Sequence, residues 1–288
     1  MQPPPLKRAR FLHVVVGGLL LVGMSAGTSG CSSPASGSGE YTSFGVIDTL
    51  STTEAPRDSI LATLGRMNRT PFDSAFAVLS AYTFTRHVRT EQLDTTGTAT
   101  AHRTLTLRYP PEDSDGIVQR ADSAGAFRGG GLLSGITPGQ QPTARPANLA
   151  AQTLPDQPAY LAPRTQEAYR YALRRDSLLD GTPVVRVEAK ARTDERGVDQ
   201  SIRYARLTID RASNALLGLT TARVSRLLLF REHSQITIQL RRAPADSPAT
   251  WVPHLTRFRA VVDVPFRTAR QFRTVSAYYG YEGMRTDS

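Results

Sequence analysis

Two neighbouring stretches decide the fold: YRYALRRDSLLDGTPVVRVEAKA at residues 169–191 and YARLTIDRASNALLGLTTAR at residues 204–223. In each stretch apolar and polar side chains alternate with a period of two, which is typical of a strand that buries one face. Val185 and Val187, for example, alternate with Arg186 and Glu188. Asp180-Gly181 separates two such runs and predicts a tight hairpin turn.

The same alternation extends in both directions from these stretches. Towards the C-terminus it predicts a long strand from Leu216 to Phe230 and later strands around Ile238, Val262 and Tyr279. Towards the N-terminus, Tyr82–Tyr109 reads as a hairpin with its turn near Thr96-Gly97. The total is about nine or ten strands. Because the links are short, and a parallel pair needs a long crossover, neighbouring strands are expected to be antiparallel.

The region from Pro56 to Tyr82 has a helical period instead. Ile60, Leu64 and Met67 recur at three-to-four spacing, and Thr70-Pro71 restarts the pattern. A wide sheet with one apolar face must cover that face, and these helices are the material available. The predicted fold class is therefore α+β, mainly β: a single curved antiparallel sheet, an unclosed half-barrel, capped by two or three helices.

Residues 129–165 interrupt the strand pattern. They begin with Gly129-Gly130-Gly131 and contain six prolines. A segment this long without periodicity is either functional or disordered. A short helix within Ala144–Thr153 is compatible with the sequence.

The N-terminus carries an export signal. Lys7, Arg8 and Arg10 precede the apolar stretch Phe11–Val22, and small residues lead to Cys31. Ser29-Gly30-Cys31 looks like a lipobox, which predicts a lipoprotein signal peptide at 1–30 and lipid on Cys31. A plain signal anchor with an incidental cysteine is the alternative. Cys31 is the one cysteine of the chain, so no intrachain disulfide can form.

The predicted organisation follows from that signal. Residues 31–55 are the lipidated cysteine and a flexible tether, whose Ser/Gly-rich part is Ser32–Glu40, and 56–284 are the folded domain. Lipid on Cys31 would hold the chain on a membrane. Since Ser32 is not the Asp that marks inner-membrane retention in some bacteria, the expected location is the outer membrane, facing the periplasm.

The charge does not indicate a nucleic-acid partner. The formal net charge is +10, and nearly all of the basic residues are arginines. They recur every few residues at the solvent-facing positions of the predicted strands, whereas a nucleic-acid patch would need clustering with interleaved aromatics. A solvated strand face is the preferred interpretation, with attraction to anionic lipid headgroups as the alternative.

Short motifs within these strands resemble the LolA/LolB-like outer-membrane lipoprotein-sorting superfamily. They are Asp180-Gly181, Val184-Val185, Leu207-Thr208-Ile209-Asp210 and Trp251-Val252-Pro253, within a resemblance that spans roughly Ile60–Tyr281. The resemblance implies an unclosed β-barrel with a helical plug and an apolar cavity for acyl chains. LolA is soluble and carries lipoproteins through the periplasm, and LolB is the lipid-anchored acceptor. Cys31 makes this chain similar to the anchored members.

Catalytic and metal-binding patterns were sought as well. The five histidines stand singly, at no metal-ligand spacing, and Gly131-Leu132-Leu133-Ser134-Gly135 has the wrong spacing for a nucleophile elbow. No GK[ST] follows the Gly129–131 run, so it is not a phosphate loop. We therefore expect no enzyme activity, no metal and no cofactor.

Binding an acyl chain requires an apolar wall. Strand parity selects ten candidate wall residues: Tyr82, Phe84, Leu105, Leu107, Val185, Val187, Leu207, Ile209, Phe258 and Val262. These residues could equally form a filled core against the helices. Two functions stay open for what is expected to be a monomer: a carrier or acceptor of acyl chains or lipoproteins, and a structural or interaction lipoprotein of the envelope without a ligand.

Overall fold

The computed structural model describes residues 56–111, 113–127, 143–146, 149–192, 202–227, 230–244, 250–263 and 268–283. Three α-helices lie within these ranges: α1 (Arg57–Gly65), α2 (Thr70–Ser74) and α3 (Leu149–Thr153). Short 3₁₀ helices occupy Ala77–Ala81 and Gln166–Ala168. Among the described residues, no helix is long and apolar enough to cross a membrane.

Ten strands make up the rest of the described fold. They are β1 (Tyr82–Leu93), β2 (Ala99–Tyr109), β3 (Ile117–Ala124), β4 (Tyr169–Leu179), β5 (Thr182–Ala191), β6 (Ile202–Asp210), β7 (Leu216–Leu227), β8 (Phe230–Arg242), β9 (Trp251–Asp263) and β10 (Arg270–Gly283). All ten belong to one sheet in the order β3-β2-β1-β10-β9-β8-β7-β6-β5-β4. Every neighbouring pair is antiparallel, and the two edge strands, β3 and β4, do not pair with each other. The predicted fold class is confirmed: a single open antiparallel sheet with short helices on one face.

Turn chemistry explains the hairpins on either side of the helical cap. Asp180 and Gly181 have φ angles of 47° and 81°, so both central residues of the β4–β5 turn are left-handed, as in a type I′ turn. In the β1–β2 turn the Asp94 carboxylate accepts hydrogen bonds from the backbone N–H groups of Thr96 and Thr98, at 2.9 Å each. Both turns were identified correctly from the sequence.

The helices pack against three separated strands. α1 contacts β4, α2 contacts β7, and the 3₁₀ helix Ala77–Ala81 contacts β1. The link between α1 and α2 joins the sheet directly, because Asn68 makes a parallel bridge with Ala215. Arg69 ties the segment after α3 to α2 through the carbonyl oxygens of Leu154, Pro155 and Asp156. The helical cap is thus fixed across the width of the sheet.

Two features differ from the sequence prediction. The long strand expected from Leu216 to Phe230 ends at Leu227, and Phe230 begins β8, because the chain reverses and the two strands pair. β3 was missed, since IVQRADSA has apolar residues only at its start and all eight of its residues are exposed. The short helix expected within Ala144–Thr153 is confirmed by α3.

Several predictions lie outside the described residues. These are the signal peptide at 1–30, Cys31 with the tether to residue 55, and residues 129–142 and 147–148 of the segment 129–165.

Candidate ligand-binding site

The strand register arranges the helix-bearing face of the sheet, here called the inner face, in rows. Cross-strand partners point to the same face, so a row can be followed from strand to strand. One row is Val88, Ser276, Thr256, Ile238, Leu219, Leu207 and Val187. The next row is Thr90, Thr274, Phe258, Ile236, Thr221, Ala205 and Ala189. These rows separate two regions of different composition.

Aromatic rings fill the first region, which lies under the helices. We call it the aromatic region, and its members are Phe72, Phe76, Leu79, Tyr82, Phe84, Tyr109, Tyr278 and Tyr281, all buried. Phe84 is at its centre, stacked on Tyr109 with ring centroids 4.7 Å apart and on Tyr281 at 5.7 Å. Phe76 of the helical segment meets Tyr278 edge to face at 6.4 Å. Such ring pairs add stability beyond the burial of their area.

Arg145, in the chain segment 143–146, packs against the aromatic region. Its guanidinium lies 5.5 Å from the Phe84 ring centroid and 5.7 Å from that of Tyr109. It also donates hydrogen bonds to the carbonyl oxygens of Leu79, Pro110 and Asp113. Arg145 therefore joins the 3₁₀ helix to the end of β2 and the loop that follows.

Arg86 marks the boundary between the two regions. Its side chain is buried and donates to Ser276 Oγ at 3.2 Å and to the Ala144 carbonyl oxygen at 3.4 Å. Burial alone would lower the pKa of this guanidinium, but the phenol groups of Tyr278 and Tyr109 beside it raise the pKa above its usual value. Burial in turn raises the pKa of Tyr109. The boundary thus holds a buried arginine beside two phenol side chains.

The second region is built from smaller side chains. We call it the small-residue region, and its members are Thr90, Thr221, Ser234, Ile236, Phe258, Ala260, Phe272 and Thr274. Phe258, Ile236 and Phe272 are half-buried. Thr90 and Thr274 pair through their hydroxyls at 3.2 Å, whereas the buried Thr221 hydroxyl has no hydrogen-bond partner in the described part of the chain. Threonine, serine and alanine thus occupy positions of the inner face that rings occupy in the aromatic region.

The ten predicted wall residues divide between packed and less packed positions. Seven are buried in one hydrophobic cluster with the helices: Tyr82, Phe84, Leu105, Leu107, Val187, Leu207 and Ile209. Val185 packs against that cluster, half-buried. Phe258 and Val262 lie outside it: Val262 is nevertheless buried, whereas Phe258 is half-buried and belongs to the small-residue region. A role of these residues as a ligand wall stays a prediction.

Sequence reasoning missed the polar residues of the inner face. Arg86 has the same parity as Phe84 and Val88, so its inward direction could have been read from the alternation. Ser276 and Thr274 alternate with outward residues in the same way. Within the described ranges, no group of three or more His, Cys, Asp or Glu side chains could hold a metal ion.

Comparison with known proteins gives only remote likenesses. No family model matches the chain, and no curated protein matches it. A DUF1329 family protein from Desulfovibrio piger is similar at 11% identity and a TM-score of 0.29, covering 81% of this chain and 95% of that one. A putative outer membrane lipoprotein-sorting protein domain from Vibrio parahaemolyticus reaches 12% identity and 0.29, over 80% and 94%.

A LolA superfamily protein from Nitrosomonas europaea is similar at 12% identity and a TM-score of 0.23, with 79% of this chain and 93% of that chain covered. Likeness at this level leaves the fold and the site to be judged from the chain's own residues. The open antiparallel sheet with a helical cap is the architecture that the sequence resemblance to the LolA/LolB-like superfamily implied.

Proposed function

We propose that this protein is a lipid-anchored lipoprotein of the bacterial envelope that binds an acyl chain on the small-residue region of its inner face, as a non-enzymatic carrier or acceptor of lipids or lipoproteins. The supporting observation is the contrast on that face: one region is filled by rings, and the other combines small side chains with half-buried Phe258, Ile236 and Phe272. A ligand site needs apolar walls and unoccupied volume together.

The chemistry of the small-residue region favours an apolar ligand. Each buried methylene contributes about 0.8 kcal/mol of binding free energy, so an acyl chain can bind without polar contacts. The Thr90 and Thr274 hydroxyls satisfy each other, and Ser276 accepts a hydrogen bond from Arg86. An apolar chain lying on these residues therefore leaves few hydrogen bonds unmade.

The acyl-binding proposal can be tested with a fluorescent fatty acid, cis-parinaric acid, titrated into the delipidated mature protein. Phe258→Ala should weaken binding, because it removes an apolar wall from the small-residue region. Leu255→Ala is a matched control, since Leu255 is a half-buried apolar residue of the same strand but lies outside the row of Phe258. Loss of about 1–2 kcal/mol of binding free energy is expected for Phe258→Ala alone. Absence of uptake by the wild type, or equal affinity of both variants, would contradict the proposal.

The anchor is tested separately. Mass spectrometry of the N-terminal peptide from membrane-extracted protein should show acylated Cys31 as the first residue. Cys31→Ser should release the protein from membranes while leaving fatty-acid uptake intact. An unprocessed N-terminus in the wild type would instead favour a plain signal anchor.

The alternative function, an interaction lipoprotein without a ligand, is favoured by one observation. The edge strand β3 exposes Ile117 and Val118, at 59% and 48% of their surface, and Phe127 follows at 40%. An exposed apolar edge strand can pair with another chain. Val118→Lys should abolish a specific cross-link to a partner at this edge and leave uptake of the fatty acid unchanged; an unchanged cross-link would argue against this function.

A further inference from the structure

A cleft of about 430 Å³ lies at the rim of the sheet where three distant parts of the chain meet. The β4–β5 turn contributes Leu179 and Asp180, the start of β7 contributes Leu217, and the β8–β9 connection contributes residues on both sides. Its volume is within the range of small-molecule sites in proteins. It shares no lining residue with the small-residue region, so it is a separate place on the molecule.

One wall of this rim cleft is apolar. Leu179, Leu217, Leu240 and Trp251 line it. Trp251 also packs against the large hydrophobic core of the domain and against a small cluster formed by Val184, Ala215 and Leu217. These contacts hold its indole ring in place. The apolar wall is therefore preformed.

The other wall carries two cations, Arg241 and Arg242, that have no anionic partner among the described residues. The Arg241 guanidinium lies 5.3 Å from the Tyr281 ring centroid, and that of Arg242 lies 5.3 Å from the Trp251 ring centroid. In the described part of the chain neither arginine forms an ion pair, and Arg241 Nε is buried without a hydrogen-bond partner. His254 Nδ1, also in the cleft, is buried and unpartnered as well. The cleft lining thus includes two buried nitrogen atoms, Arg241 Nε and His254 Nδ1, that have no hydrogen-bond partner among the described residues.

The Asp180 carboxylate limits how much negative charge a ligand in this cleft can carry. Two arginines and one carboxylate line the cleft, so the formal charges of these three groups sum to +1 and match a single negative charge. A monoanion would be attracted, whereas each further negative charge would meet the Asp180 carboxylate. Planar guanidinium groups bind the two oxygens of a carboxylate or phosphodiester particularly well.

We propose that the rim cleft binds a monoanionic amphiphile, with its carboxylate or phosphodiester on Arg241 and Arg242 and its apolar part on Trp251 and the three leucines. A free fatty acid and the headgroup region of an anionic phospholipid share this chemistry. This site goes beyond the proposed function, because it is distinct from the acyl-binding region of the inner face.

The sequence provides a reporter inside the site: Trp251 is the one tryptophan of the chain. Decanoate, titrated below its micellar concentration into the purified mature protein, should change the tryptophan fluorescence saturably. Decanol, with the same chain and no charge, should bind about tenfold more weakly. Short-chain dihexanoyl phosphatidylglycerol is the second ligand, and the tighter of the two anions identifies the source.

Two variants make the test specific. Arg242→Gln and Arg241→Gln should each weaken binding of the anion about tenfold without changing that of decanol. Arg257→Gln is the matched control, because Arg257 is an exposed arginine of the same strand as Trp251 but does not line the cleft. Arg242 is itself exposed, so its variant is expected to fold, and circular dichroism checks this.

No saturable fluorescence change with either anion would overturn the proposal. Equal affinity for decanol and decanoate, or full affinity in both Gln variants, would also overturn it. Cis-parinaric acid uptake by the Phe258→Ala and Leu255→Ala variants reports on the inner face independently, so failure at one site leaves the other interpretable.

Discussion

The aromatic region and the small-residue region lie on the same face of one sheet, yet their side chains are packed differently. Phe84 is completely buried and stacked between rings, whereas Phe258 is half-buried beside threonines and alanines. Both positions follow the same alternation of a strand. The comparison shows that strand parity gives the direction of a side chain, while the residues on neighbouring strands decide whether it is completely buried or stays partly exposed.

The difference arises from which chain segments lie over each region. The aromatic region is covered by helix side chains, among them Phe72, Phe76 and Leu79. On the small-residue region, Arg223 of β7 reaches the end of α3, where it donates to the Thr153 carbonyl oxygen at 3.1 Å. We expect the stability of the domain to depend mainly on the aromatic region, whereas the acyl-binding proposal concerns the small-residue region.

The largest expected effect is the loss of the Phe84 ring. Phe84→Ala removes a completely buried side chain and leaves a cavity between Tyr109 and Tyr281, which should lower the free energy of unfolding by about 3–5 kcal/mol. Phe258→Ala should cost about 1–2 kcal/mol, because a half-buried ring loses less burial. Urea denaturation measures both. Equal losses would remove the distinction between the two regions.

A smaller loss of unfolding free energy is expected for Arg145→Ala. This substitution tests the contacts that cover the aromatic region, whereas Phe84→Ala tests the packing within it. The substitution leaves the carbonyl oxygens of Leu79, Pro110 and Asp113 without this donor and removes the cation from the faces of Phe84 and Tyr109. We expect a loss of about 2–3 kcal/mol in urea denaturation. Arg108→Ala, an exposed arginine of β2, is the control and should change stability little. If Arg145→Ala leaves the free energy of unfolding unchanged, segment 143–146 does not hold the helical cap in place.

The strands and helices could be predicted from the sequence more fully than either proposed binding site. Alternation and turn residues such as Asp180-Gly181 identified most strands, and the restart at Thr70-Pro71 identified the helix boundary. β3 could not be found, because its pairing with β2 is what makes it a strand and its own residues lack alternation. The pairing of β1 with β10 joins residues nearly two hundred positions apart, such as Arg86 and Tyr278, and no local pattern encodes it.

The two proposed sites differ in how well they could be predicted from the sequence. Parity placed Phe258 on the inner face, but it also selected residues such as Leu207 that prove to be packed core. Only the neighbours across the sheet distinguish the two cases. The rim cleft was inaccessible to sequence reasoning, because Leu179, Leu217 and Trp251 lie at the ends of three different strands, β4, β7 and β9.

A pH-dependent effect is expected behind the small-residue region, on the outer face. Burial by itself would raise the pKa of Glu91, but hydrogen bonds from Arg273 and Arg89, at 2.7 and 2.8 Å, lower it below its usual value overall. A depressed folded-state pKa stabilises the protein above the unfolded value of about 4.3, and this contribution is lost as the pH falls through the folded-state pKa.

Glu91→Gln should therefore lower stability by about 1 kcal/mol at neutral pH and flatten the acid limb of the stability curve. Urea denaturation at a series of pH values between neutral and acidic measures this. If the variant loses stability on acidification as steeply as the wild type, Glu91 does not hold β1 against β10, and inner-face packing alone fixes this part of the sheet.

The smallest effect is expected at the edge of the sheet, where neither region contributes packing. His102 Nε2 lies 3.3 Å from Asp122 Oδ2, and the Asp122 side chain is 65% exposed. Exposed pairs of this kind contribute about 0.2–1 kcal/mol, so Asp122→Asn should fall at the bottom of that range in urea denaturation at neutral pH. A loss comparable to that of Arg145→Ala would show that β3 stabilises the sheet as strongly as the helical cap does. The edge would then be a structural element, and its exposed Ile117 and Val118 would be poor evidence for a partner-binding strand.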